Sequence, residues 1–135
     1  MIRPEYIGFD AAGHYILCDH LREADTTDVN IWDMKVHDYH YQAPIIWGNC
    51  CLQRSMPYNP YKADVFSLGL ILIEAGLVDD GSTRYECHNE KSGMVNMQLI
   101  WKYLELVKNK YKEIPLLGEA LYKMLEPNEQ FRFDW

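Results

Sequence analysis

Residues 61–77, YKADVFSLGLILIEAGL, are the most apolar stretch of the chain, and one carboxylate, Asp64, stands at its entrance. Read from the residues alone, an acid in that setting caps or charges the first turn of a helix. Other chemistry-bearing residues are more scattered. Asp19, in the triplet Asp19-His20-Leu21, would need further oxygens close by to hold a metal ion. None is evident in the sequence, so a hydrogen-bonded or solvent-facing loop acid is the simpler reading. His37, Asp38 and His40 lie close together, and Cys87-His88 offers further ligand types, but no second half of a zinc pattern follows. Nothing near Cys50-Cys51 lowers a thiol pKa, so a redox role is not expected. The residues therefore point to no metal and no cofactor.

The elements that must position Asp64 follow from periodicity and punctuation. Residues 6–18 alternate around a tight turn, with Ile7 and Phe9 on one face, Tyr15 and Leu17 likewise on the partner strand, and Gly13 suited to positive φ. Residues 19–42 are polar and irregular, a long loop with one short helical or strand segment at Val29–Val36, of a length that is either functional or mobile. After Pro44, IIWGNCCL predicts one or two helical turns, ended by SMPYNP. A helix from Lys62 to Ala75 follows, with Pro60 just before it and Gly76 as its terminator. Residues 79–93 read as a second polar loop. Met97, Ile100, Leu104, Val107 and Tyr111 recur at helical spacing. Pro115 opens a last helix and Pro127 closes it. The fold class expected is mainly α with a small β-hairpin, in one domain spanning residues 1–135.

Composition narrows the function classes. The 135 residues are 48% hydrophobic and 24% charged, an ordinary globular balance. A net charge of −7 argues against nucleic acid or an anionic membrane as the main partner. The longest apolar run is too short to span a bilayer. The N-terminus MIRPEYIGFD has no apolar signal region, and Cys18, Cys50, Cys51 and Cys87 form no CxxC pair. The expectation is an intracellular protein with reduced cysteines, cytoplasmic or cytoskeletal, or else in an organelle such as the mitochondrion.

Four segments, in order, resemble the C-terminal lobe of a protein kinase. IRPEYIGFDAAGHYILCDH is similar to the end of the catalytic loop and the hairpin leading to the DFG position. YQAPIIW resembles the segment ending in APE. YKADVFSLGLILIEAGL resembles the central helix of the lobe, and LLGEALYKMLEPNEQFRFDW the last conserved stretch, with Arg132 at the family's arginine. The resemblance implies a partial kinase C-lobe, in which residues 19–42 take the place of the activation segment. It also implies that Asp64 is a structural anchor, accepting backbone N–H bonds from the polypeptide just before and around Arg3–Glu5, which satisfies donors that water cannot reach.

The same resemblance implies that the chemistry has gone. Phosphoryl transfer needs a glycine-rich loop, a paired lysine and glutamate, a catalytic-loop aspartate and metal ligands. The chain as it stands begins inside the catalytic loop, so the earlier parts are expected to be missing. Tyr6 stands where the family has a metal-binding asparagine, and a phenol is a poor ligand for a hard cation. The DFG position reads Asp19-His20-Leu21 and the APE position Ala43-Pro44-Ile45, so Arg132 lacks its usual glutamate and should find another acid, a carbonyl or solvent. The central helix is apolar on all sides and, without two of the family's covering helices, should expose a large patch.

A non-catalytic, pseudokinase-like subunit of a larger assembly is expected, not an enzyme. Other subunits would cover the Lys62 to Ala75 helix together with the helix from Leu99 to Tyr111, through Trp101, Tyr103 and Tyr111. Two alternatives compete with it. One is the C-lobe half of a split or misannotated serine/threonine kinase. The other is a regulatory decoy that binds a kinase's substrate or regulator through residues 36–47.

Overall fold

A computed structural model describes Ile2 and residues 4–17, 40–78 and 87–134. The chain opens with a short 3-10 helix, Pro4–Tyr6, and an antiparallel hairpin of β1 (Ile7–Phe9) and β2 (Tyr15–Leu17). The turn is set by its residues. Gly13 adopts φ +84°, and Asp10 Oδ1 accepts the backbone N–H groups of Ala12 and His14, each at 2.8 Å. Asp19, His20 and Leu21 lie outside the described residues, as do 18–39 generally.

Helix α1 is Pro44–Leu52 and α2 is Pro60–Leu77. Both extend beyond the sequence expectation. Pro60 is the first residue inside α2 rather than the residue before it, since its missing N–H would be unpaired there anyway. The cap is Asn59, whose side chain accepts the N–H groups of Tyr61 and Lys62 at 3.0 and 3.2 Å. Gly76 does not terminate the helix. It lies within it, where a Cβ would come 3.2 Å from Val107, so the glycine lets the next helix approach.

The polar stretch 79–93 is not all loop. His88–Asn89 (β3) and Met94–Val95 (β4) form a small ribbon turning at Gly93, whose φ is +64°. Helix α3, Met97–Lys110, is capped by Asn96, and α4 is Pro115–Met124. Helices α3 and α4 pack on α2 and on each other. The core gathers Phe66, Leu70, Ile73 and Leu77 of α2 with Ile46, Ile100, Leu104, Val107, Leu121 and Leu125. The protein is thus mainly helical, with two small antiparallel ribbons. Among the described residues, no helix is long and apolar enough to cross a membrane.

The expectation of a bare central helix needs correction. Between Lys62 and Ala75 only Leu72 and Ala75 are exposed, and Phe66 is wholly covered. Val65 and Ile71 are buried as well. At Gly69 the close neighbours are the side chains of Leu125 and Met124, not another backbone. The chain's own elements cover α2, so a partner is not required there.

Candidate functional site

Two polar anchors tie distant parts of the chain to α2. Asp64, half-buried in the second turn, accepts the backbone N–H of Ile2 at 3.1 Å across 62 residues of sequence. A carboxylate is well matched to this task, because a charged acceptor makes a stronger bond to an N–H than a neutral one does. The donor is Ile2, within the stretch just before and around Arg3–Glu5 that was expected, and the Ile2 side chain is buried. The link fixes where the hairpin leaves the helical body.

The second anchor is Arg132, buried near the C-terminus. Its Nε–H donates to the Glu126 carbonyl at 2.8 Å, Nη1 to Lys62 at 2.9 Å and Nη2 to Pro127 at 3.1 Å. The guanidinium lies 4.9 Å from the centre of the Phe66 ring, a cation–π distance. Backbone carbonyls are therefore the acceptors for Arg132, one of the alternatives to an acid that the sequence reading allowed. Burial pushes the guanidinium down to about 10, against the opposing pull of Glu129 and Glu126. It stays charged at neutral pH. Glu129 adds a further tie, accepting the Asn59 N–H at 3.1 Å.

The remaining motif positions are structural in their surroundings. Tyr6 is half-buried at the end of the 3-10 helix. Ala43 is fully buried at the N-cap of α1, Pro44 is its first residue, and Ile45 packs partly against the core. Next to them, Tyr41 donates its hydroxyl to Glu74 of α2. The Trp47 indole N–H reaches the Asn89 carbonyl at 3.3 Å, and His88 Nε2–H donates to the Gln42 carbonyl at 2.8 Å, so the β3–β4 ribbon is fastened to α1. Burial holds His88 down to about 4, with His40 adding to the effect and the Gln42 bond opposing it.

The thiols are poor nucleophiles. Burial pushes Cys50 and Cys51 up, and Cys87 up to about 11. Among the described residues, no group of three or more His, Cys, Asp or Glu side chains is placed to hold a metal ion.

Of the three aromatic residues expected at an interface, only Trp101 stands out, 41% exposed. Tyr103 and Tyr111 are half-buried against the core, and the Tyr111 hydroxyl donates to the Gly76 carbonyl at 3.4 Å. Tyr111 thereby ties the end of α3 to α2, and Tyr103 packs partly against the core. The stripe Ile100, Leu104, Val107 faces inward, which turns Trp101 away from it.

The surface that sequence reasoning missed is the hairpin. Ile7 pairs with Leu17, Gly8 with Ile16 and Phe9 with Tyr15. Directly opposed residues share a face, so Ile7, Phe9, Tyr15 and Leu17 all project to one side. Phe9 is 64% exposed, Tyr15 76% and Leu17 48%. The Phe9 and Tyr15 rings lie 4.6 Å apart, tilted by 41°. With about 200 Å² offered by each aromatic side chain, these two leave roughly 250–300 Å² uncovered. Leu17 brings the face into the few-hundred-Å² range that marks functional patches on a monomer. The alternation 7, 9, 15, 17 was the available signal; what it could not show is that, among the described residues, these side chains stay largely exposed. Comparison with protein-family models, with curated proteins and with solved structures found no match.

Proposed function

We propose that the chain is a non-catalytic, pseudokinase-like interaction module, a structural or accessory subunit of a larger intracellular protein assembly. The observation that carries the proposal is the apolar hairpin face. A two-stranded ribbon is marginal by itself in water, yet this one holds a tilted aromatic pair and two aliphatic side chains on one side. Covering that face with a partner would remove its apolar surface from water, at about 25 cal/mol per Å². The hairpin is a sound platform for this because Asp64 ties the segment leading into it to α2.

The kinase-like part of the reading is supported by the order of elements: hairpin, short helix opening at Ala43-Pro44, a largely buried helix, then two packed helices. It is also supported by Asp64 and Arg132, which bond to backbone as structural anchors would. Tyr6, at the asparagine position, supports the non-catalytic part.

The test is the size of the native particle. In extracts of its own cells, the tagged chain should elute well above its 15.9 kDa monomer. The double variant Phe9→Asp, Tyr15→Asp should shift it to the monomer position, while Trp101→Asp should not. Elution of the unaltered chain as a monomer refutes the proposal. So does magnesium-dependent ATP hydrolysis by the purified chain that is lost on Asp19→Asn.

A further inference from the structure

A second surface lies on the last helix, away from the residues used above. An open cavity of about 590 Å³ is lined by Leu116, Ala120 and Tyr122 of α4, by Phe133 beyond it, and by Lys108 and Lys123. Its floor is apolar: Leu116 is largely uncovered, and Tyr122 and Phe133 are each about half exposed. Lys108 forms a wall because its aliphatic stem lies across the buried Gly118, where a Cβ would come within 2.6 Å of it. The C-terminal segment closes the far side, with the Phe133 N–H reaching the Lys123 carbonyl at 3.4 Å.

The lining itself holds two lysines, Lys108 and Lys123, against one glutamate, Glu119. The protein carries −7 overall, yet residues 102–123 hold five lysines against three glutamates. Lys108 meets Glu105 at 2.7 Å, an exposed pair that contributes little and exchanges readily. Lys123 has no acidic partner among the described residues. Glu119 is the one carboxylate on the lining. The first turn of α4 has neither an acidic residue nor a side-chain cap, so its positive end adds to the two ammonium groups.

We propose that this cavity docks an acidic linear segment of a partner protein. One bulky apolar side chain of the segment would sit against Leu116, Ala120 and Phe133, with flanking carboxylates at Lys108 and Lys123. The volume fits a few residues of peptide, within the range of small binding pockets. The apolar area falls well short of the ~800 Å² per partner that a stable dimer buries, which favours a peptide over a second copy. The proposal does not depend on the hairpin reading, and either can fail alone.

A phage-displayed library of random 12-residue peptides, panned on the full chain, tests it. The expected consensus is a Leu, Phe or Trp flanked by Asp or Glu. The selected peptide, labelled with fluorescein, should lose at least tenfold in affinity with Lys123→Glu and with Leu116→Ser. Both positions are exposed, so thermal melts of the two variants should match the unaltered chain, and binding should weaken as salt rises. A basic or uncharged consensus, no enrichment, or binding indifferent to both variants overturns the proposal. Self-association in sedimentation that Leu116→Ser abolishes overturns it in favour of a second copy.

Discussion

Replacing Arg132 with methionine should cost the fold about 3 kcal/mol, and the reason is geometric. The side chain spreads three donor directions, from Nε, Nη1 and Nη2, to three carbonyls belonging to Glu126, Lys62 and Pro127. Hydrogen bonds from a charged donor contribute about 1.5–3 kcal/mol each, and bonds sharing one group are not additive. The contact with the Phe66 face adds about 1 kcal/mol. Opposing this is the cost of burying the charge, visible in the lowering of the guanidinium to about 10. Methionine keeps the apolar volume against Phe66 and relieves the charge, but leaves three carbonyls without donors. Lysine keeps the charge at a single point and cannot reach all three, so Arg132→Lys should lose about 2 kcal/mol. Urea denaturation monitored by tryptophan fluorescence measures both, and with total stabilities of about 5–15 kcal/mol the variants should still fold. A loss under about 1 kcal/mol for Arg132→Met, or a lysine variant equal to the unaltered chain, refutes the anchoring role.

Three further outcomes follow from the same geometry. Asp64→Ala should remove the acceptor for Ile2 and cost about 1–2 kcal/mol, with faster amide exchange at Ile2, while Asp64→Asn keeps a carbonyl and loses less; equal exchange in all three proteins would count against the tether. His88, held down to about 4 in the fold, is neutral when buried and charges more readily when unfolded, so its contribution to stability is complete above about pH 6.5 and falls as pH drops toward 4. Against His88→Gln, which retains a donor for the Gln42 carbonyl without titrating in this range, the unaltered chain should lose up to about 3 kcal/mol across that window; parallel pH profiles would contradict this. Gly93→Ala should cost about 1–2 kcal/mol, because φ is +64° and the new methyl meets Leu52 Cγ at 3.0 Å, and an unchanged melting temperature would show that the β3–β4 turn tolerates a side chain.

Much of the architecture was legible because strong local signals agreed with the packing. Alternation around Gly13 identified the hairpin, and an apolar run with no polar face identified the helix α2, though its covering was not foreseen. The errors have identifiable causes. Gly76 reads as a stop signal, yet here it is a contact residue, because closeness to Val107 depends on tertiary packing. Strands of two residues, as in β3 and β4, are too short to show a period. Covering of α2 by α3, α4 and the Arg132 segment could not be inferred from the helix itself. The interface residues divided along the helical wheel: Tyr103 and Tyr111 flank the inward stripe of α3, whereas Trp101 lies off it. Asp64 was found from its isolation within an apolar stretch, but the identity of its donor, Ile2, depends on chain path.

Photo-crosslinking from the hairpin examines the interaction proposal most directly. With p-benzoylphenylalanine in place of Tyr15, irradiation in the protein's own cells should yield one discrete adduct to another polypeptide, and Phe9→Asp in the same chain should abolish it. Irradiated chains that remain uncoupled, or that form the same adduct with Phe9→Asp present, would contradict the account.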